Sequence, residues 1–299
     1  MPLVPFPELM CDAARGRYAV GYFESWNLES LLAAADAAEQ VRSPVLLGFS
    51  GIYLPHPQRR TRENLRVYYA FAHEAATHLT VPACLVFNES PNVDWVHQAI
   101  ELGFGLVMYS DDESSHQSQR SNLVEIVRRA HERGICVEAE LDALPGVGGE
   151  LKTTPHDLRL TDSAQAQEFV AQLGVDALAV NIGQLHLHGR KMVRLDLERL
   201  RELRRAVDIP LVLHGATSVN REDLRAAVEI GVQKINVGSA LKRTYFETLR
   251  TACEEVGREY NPYQVMGSGL EGDVLTTARL ALQNHIAEWM QLFGSAGKA

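Results

Sequence analysis

Eight short apolar runs alternate with longer amphipathic segments along the chain. This alternation limits the possible folds more strongly than any other feature of the sequence. The runs are rich in aliphatic residues over nearly their whole length, as in parallel strands that are buried on both faces. Eight such strands joined by helices predict a closed barrel or a wide open sheet. Because no GxGxxG sequence follows the first run, we expect the barrel. The runs are Tyr18–Phe23, Pro44–Phe49, Ala83–Asn88, Leu106–Ser110, Cys136–Leu141, Ala177–Ile182, Leu211–Gly215 and Lys234–Gly238.

The chain length fits one such barrel, since barrels of this class form a single domain of about 250 residues. We therefore predict that residues 1–299 form a single α/β domain, a (β/α)8 TIM barrel with an extra C-terminal helix over Glu271–Phe293. This helix exceeds what the barrel needs. It either caps the barrel or forms an oligomer contact.

The charge and hydropathy of the chain exclude several partners. A net charge of −9 disfavours nucleic acid, which binds to basic surfaces. No run approaches the roughly 18 apolar residues of a membrane span, and the first residues lack the basic region of a signal peptide. We expect a cytoplasmic protein that binds neither nucleic acid nor membranes.

Polar side chains that follow the apolar runs are the candidates for chemistry, because a barrel builds its active site at the carboxyl ends of its strands. His186 and His214 follow neighbouring runs, the sixth and seventh, and Glu89 follows the third. Two imidazoles and a carboxylate can bind a divalent metal and leave a position open for substrate. The alternative is that these histidines are hydrogen-bonding surface residues.

Small and hydroxyl-bearing residues follow the last two runs, at Gly215, Thr217, Asn236 and Ser239. The loops after the last two strands of such barrels commonly bind phosphate, through backbone N–H groups and hydroxyls. The alternative is that these residues only form tight turns. A long glycine-containing loop, Asp142–Asp162, follows the fifth run and has the length of an active-site lid.

Several longer motifs make the chain similar to the class II ketose-bisphosphate aldolases, in particular to the tagatose and fructose bisphosphate branch. The resemblance covers nearly the whole chain. The motifs are Tyr18–Phe23 with Asn27–Glu29, Ser43–Val45, Val137–Leu141, Gly174–Val180, Ile182–His186, Ile209–Ala216, Lys234–Val237 and Leu292–Ala299.

The resemblance implies a role for each matching position. His186 and His214 would be zinc ligands, and Glu138 and Glu140 would lie around the metal. Gly215, Thr217, Asn236 and Ser239 would hold the phosphate and the enediolate of dihydroxyacetone phosphate, with Ser50 as a substrate contact. The implied cofactors are Zn²⁺ and a monovalent cation. The expected partners are a small phosphorylated substrate and further copies of the chain, in a homodimer or homotetramer.

The sequence departs from the family pattern at several of its site positions. Asn88 and Glu89 stand where the family has an aspartate that exchanges a proton with the substrate and a zinc-ligating histidine. Asparagine has no titratable proton near neutral pH, whereas glutamate can bind metal through oxygen. Glu24 and Trp26 replace asparagines, Ser110 and Asp111 replace an aspartate and a glycine, and the lid base is either missing or shifted to Glu150.

These departures predict an altered substrate or reaction and leave three functions open. The first is a metal-dependent aldolase-type lyase on a phosphorylated ketose. The second is an isomerase or epimerase that forms the enediolate without cleaving a carbon–carbon bond. The third is a non-catalytic barrel that binds a phosphorylated metabolite. We predict that Glu89 points into the site, as metal ligand or proton-transfer group; the alternative is a solvated loop residue.

Overall fold

The computed structural model describes residues 2–111, 114–141, 159–185 and 192–299. Eight parallel strands pair in chain order, and β8 pairs with β1 to close the barrel. The predicted (β/α)8 barrel is therefore confirmed, with strand bounds that differ from the prediction by a few residues. The strands are β1 Val20–Phe23, β2 Val45–Ser50, β3 Ala83–Ser90, β4 Leu106–Tyr109, β5 Cys136–Glu140, β6 Ala177–Ala179, β7 Leu211–Leu213 and β8 Val232–Val237.

Helices alternate with these strands and bury their apolar faces against the barrel. None of the helices in the described residues combines the length and the hydropathy of a membrane-spanning segment. The helices are α1 Phe6–Gly16, α2 Leu28–Val41, α3 Leu65–Thr77, α4 Val93–Leu102, α5 His116–His131, α6 Ser163–Leu173, α7 Leu197–Ala206, α8 Arg221–Ile230, α9 Ser239–Glu255, α10 Pro262–Val265 and α11 Val274–Leu292.

The extra C-terminal helix, α11, packs against α2 and α9 on the outside of the barrel. Its buried residues include Leu282, Ile286 and Met290, which share one face because they are three or four positions apart. The prediction of this helix is confirmed, and its contacts make it part of the outer layer of helices. A second role for α11 in an oligomer stays a prediction.

Helix α1 is an element that the sequence analysis did not predict. Phe6, Leu9, Met10 and Ala13 are buried and pack with inward-facing strand residues such as Val20. The backbone of Pro2 and Val4 bonds to Ala83, the first residue of β3, so this segment lies at the amino ends of the strands. The spacing of these four apolar residues follows the helical repeat and was the signal available in the sequence.

Gly48 shows how closely β2 and β3 approach each other. A β-carbon at Gly48 would overlap the backbone carbonyl of Val86, which cannot move without disturbing the sheet. We expect Gly48→Ala to lower the free energy of unfolding by about 3 kcal/mol, the upper range for overpacking. Urea denaturation measures the change.

The matched control for this variant is Gly134→Ala. Gly134 has a φ of +68° and no atom within 4 Å of an added β-carbon, so its cost is conformational alone. We expect that cost to be about 1 kcal/mol. Equal losses of unfolding free energy in the two variants would show that the close approach of Val86 to Gly48 does not determine which residue fits at position 48.

Candidate active site

An irregularity at the end of β3 directs Glu89 toward the barrel opening. The pairing of β3 with β4 shifts register between Phe87 and Ser90. Glu89 has a φ of +48°, a left-handed conformation that is uncommon outside glycine. A bulge of this kind can change the direction of a side chain. Consequently Asn88 and Glu89, although consecutive, both reach the same polar cluster.

His214, directly after β7, lies buried between two carboxylates. Its Nδ1 is 3.1 Å from Glu89 Oε1, and its Nε2 is 2.7 Å from Glu138 Oε1 on β5. Burial lowers the pKa of His214, but the two neighbouring carboxylates outweigh it and raise the pKa to about 10. Without a metal, the ring is therefore an imidazolium that donates a hydrogen bond to each carboxylate.

A buried lysine balances the second of these carboxylates. Lys234 Nζ on β8 forms an ion pair with Glu138 Oε2 at 2.8 Å. Both side chains are fully buried. Burial opposes ionisation of Glu138, yet Lys234 and His214 lower the pKa of its carboxyl.

The polar contacts close into a ring of six side chains, which we call the polar ring. Lys234 donates to Asn236 Oδ1 at 2.7 Å, and Asn236 donates to Asn88 Oδ1 at 3.3 Å. Asn88 in turn donates to Glu89 Oε2 at 2.6 Å. Two carboxylates and two cations make the ring electrically neutral. Its members are Asn88, Glu89, Glu138, His214, Lys234 and Asn236.

The ring offers two of the donors that a divalent metal requires. Glu138 holds Nε2 of His214, as the carboxylate behind a metal-ligating histidine commonly does. This leaves Nδ1 and Glu89 Oε1 facing each other, so a metal ion would displace the proton between them. Within the described residues no group of three His, Cys, Asp or Glu side chains could hold a metal by itself. Glu89 and His214 fit a site that needs a third ligand.

Two of the predicted site residues lie outside the described ranges: His186, the expected third ligand, and Glu150, the candidate lid base. Glu140, the other predicted metal ligand, is at the end of β5 and accepts a hydrogen bond from Ser110 Oγ at 2.5 Å. Its role as a ligand stays a prediction.

The predicted phosphate residues line one cavity of about 480 Å³ together with Glu89 and His214. Ser239 begins helix α9, whose amino end presents backbone N–H groups and a partial positive charge to an anion. Thr217 Oγ1 accepts a hydrogen bond from Ala240 N at 3.2 Å and ties the loop after β7 to that helix. The four residues Gly215, Thr217, Asn236 and Ser239 are thus brought to one place.

Ser50, the fifth predicted substrate residue, lies apart from this group. It is buried at the end of β2 and lines a neighbouring cavity.

The cavity also contains side chains on α9 that the sequence analysis did not select: Lys242, Arg243 and Phe246. They follow Ser239 by three, four and seven positions, so they share its face of the helix. This spacing could have indicated the three residues from the sequence, because Ser239 is one of the predicted phosphate residues.

The family model for fructose-bisphosphate aldolase class-II matches residues 4–298. The chain belongs to the class II fructose-bisphosphate aldolase family. This membership supports an aldolase-type lyase function.

Solved structures agree with this assignment. The chain is 27% identical to the YdjI aldolase from Escherichia coli K12, with a TM-score of 0.78 and coverage of 99% of both chains. It is 26% identical to a protein assigned as a fructose-1,6-biphosphate aldolase from Coccidioides immitis, with a TM-score of 0.80, over 98% of this chain and 97% of that one. A fructose-bisphosphate aldolase from Campylobacter jejuni, 17% identical with a TM-score of 0.78 over 99% of this chain and 97% of that one, shares the fold.

Proposed function

We propose that this chain is a metal-dependent aldolase-type lyase that acts on a phosphorylated ketose, or a related compound, through an enediolate. The observation that carries the proposal is the placement of Glu89 against His214 Nδ1 in the cavity that the phosphate residues line. Zinc is the metal we propose, because imidazole and carboxylate donors suit it. The donor set is Glu89 and His214, with His186 as the expected third ligand.

The reaction divides between the two halves of the cavity. A bound metal would polarise the substrate carbonyl and stabilise negative charge on its oxygen. The amino end of α9, Thr217 and Ser239 would hold the phosphate, and Asn236 would hold the enediolate oxygen. Cleavage breaks one carbon–carbon bond: the substrate hydroxyl loses its proton and becomes the aldehyde. The electron pair stays on the donor carbon, which is later protonated to give the ketone product.

Asn88 makes the proton transfer in this chain different from that of the family pattern. Its amide is fixed between Asn236 and Glu89, and it has no proton to exchange near neutral pH. Asn88 therefore positions the Glu89 carboxylate. This observation also favours the second candidate, an isomerase or epimerase that forms the enediolate without cleaving a carbon–carbon bond.

Hydrogen exchange into dihydroxyacetone phosphate tests the proposal without requiring the aldehyde to be known. Enediolate formation exchanges a carbon-bound hydrogen of this compound with deuterium oxide, and NMR follows the loss of signal. We expect exchange that stops on chelation and returns with zinc. Exchange together with cleavage of a ketose phosphate supports the lyase, and exchange without any cleavage supports the isomerase. Binding of the compound without exchange would contradict both and leave a non-catalytic barrel.

The variant Asn88→Asp tests the positioning role of Asn88. Aspartate restores the residue of the family pattern, but here it removes the donor to Glu89 and sets two carboxylates side by side. We expect the exchange rate to fall about tenfold or more, as for the loss of a residue that orients a metal ligand. The double change Asn88→Asp with Glu89→His should recover exchange.

Asn122→Asp is the matched control for this variant. Asn122 lies on α5 and donates a hydrogen bond to Tyr109, outside the polar ring. A gain of activity in Asn88→Asp alone would refute the positioning role.

A further inference from the structure

A second cavity of about 470 Å³ adjoins the active-site cavity. The two share four lining residues, Glu24, Tyr53, Lys242 and Phe246, so they lie side by side. We call the second cavity the aromatic annex. Its apolar and aromatic lining consists of Trp26, Tyr53, Leu54, Tyr245, Phe246 and Leu249.

The charges that line the aromatic annex are all matched within the protein. Lys242 forms an ion pair with Glu24 and lies 5.8 Å from the centre of the Trp26 ring. Arg59 contacts Glu63 at 2.6 Å and donates to the hydroxyl of Tyr68 at 3.0 Å. Each lining cation already has a carboxylate partner, and the rest of the lining is mainly aromatic and aliphatic, so the annex suits an uncharged group.

Two departures from the family pattern, Glu24 and Trp26, lie in this wall. Trp26 packs edge-on against Tyr245, with ring centres 5.7 Å apart. Gly238 accommodates the change at Glu24, because a β-carbon at position 238 would overlap Glu24 Oε2. Where the family pattern has asparagines, this side of the annex therefore has the Glu24–Lys242 ion pair and the indole ring of Trp26. The absence of a side chain at Gly238 leaves space for the Glu24 carboxylate.

The two neighbouring cavities differ in chemistry. The cavity beside β7 and β8 offers hydroxyls, a helix amino terminus and Arg243, as an anion requires. The annex offers aromatic and aliphatic surface. A ligand that spans both would carry phosphate at one end and an apolar group at the other.

We infer that the aromatic annex binds the electrophilic half of the substrate, and that this half is an apolar aliphatic or aromatic aldehyde without phosphate. The inference rests on the proposed lyase function and names its substrate class. In the condensing direction the enediolate carbon of the donor bonds to the aldehyde carbon, and the aldehyde oxygen takes up one proton. The product is a ketose monophosphate with an apolar tail.

Condensation of dihydroxyacetone phosphate with phenylacetaldehyde or with glyceraldehyde 3-phosphate tests the inference. We expect kcat/KM to be at least about tenfold higher for phenylacetaldehyde, a typical discrimination for a fitted apolar group. Leu249→Lys adds a cation to the annex, and it should shift this ratio about tenfold toward the phosphorylated aldehyde; Leu249→Met is the matched control. A wild-type preference for glyceraldehyde 3-phosphate would overturn the inference.

A binding measurement separates failure of this inference from failure of the proposed function. 2-Phenylethanol, an unreactive analogue, should change the fluorescence of Trp26, and Trp26→Phe should lose that change. If the alcohol binds but dihydroxyacetone phosphate exchanges no hydrogen, the annex binds apolar groups as inferred, but the proposed lyase function is wrong. If exchange occurs but the alcohol leaves Trp26 fluorescence unchanged and phenylacetaldehyde is not preferred, the annex inference is wrong and the lyase proposal stands.

Discussion

Glu89→Gln is expected to weaken zinc binding on the order of 100-fold or more. Loss of a residue that merely orients a ligand already costs 10–100-fold, and Glu89 is proposed as a ligand itself. Glutamine keeps the size of the side chain but removes the charge that faces His214 Nδ1. Equilibrium competition with a chelator measures the affinity, and hydrogen exchange into dihydroxyacetone phosphate should fall in parallel.

Glu132→Gln provides the control for this charge change, because Glu132 is an exposed carboxylate paired with Arg128 after α5. Zinc affinity in this variant should equal that of the wild type. His214→Ala should lose the metal as Glu89→Gln does. If Glu89→Gln retains both the wild-type affinity and the wild-type exchange rate, Glu89 has no role in the site.

Lys234→Met should cause the largest loss of stability, about 3–5 kcal/mol, the cost of removing one partner of a buried ion pair. Lys234 is fully buried, and its charge offsets that of Glu138. Its removal leaves the polar ring with one excess negative charge and leaves Asn236 without its donor. Urea denaturation measures the free energy of unfolding.

Lys242→Met is the matched control, since Lys242 also pairs with a glutamate but is 40% exposed. Exposed pairs contribute about 0–1 kcal/mol, so this variant should change stability little. Adding Glu138→Gln to Lys234→Met removes the excess charge and should recover part of the loss. A loss for Lys234→Met no greater than that for Lys242→Met would show that the buried pair is not a main support of the barrel.

The barrel was predictable because buried parallel strands leave long apolar runs, and a run such as Val45–Phe49 has few other interpretations. The grouping of the predicted phosphate residues around one cavity was predictable for a related reason. Gly215 and Ser239 are small or hydroxyl-bearing residues directly after strands, at the end of the barrel where ligands bind.

The polar ring was not predictable in the same way. The sequence analysis expected Glu89 to point into the site, but the two-residue periodicity of a strand does not indicate the register shift in β3 that turns it there. Lys234 begins the eighth run, and the sequence does not show that Glu138, on a strand 96 positions earlier, neutralises it. Such pairs depend on the barrel closure that brings β5, β7 and β8 together around His214.

A crystal structure of the zinc-loaded protein, with the anomalous signal of the metal measured, would show whether Glu89 and His214 bind the metal. We expect one zinc between Glu89 and His214, with ligand distances of about 2.0–2.2 Å to Oε1 and Nδ1. Glu138 should keep its hydrogen bond to Nε2, and His186 should be the third protein ligand. A zinc ion bound elsewhere, with Glu89 still hydrogen-bonded to Nδ1 of His214, would show that these two residues are not the metal ligands.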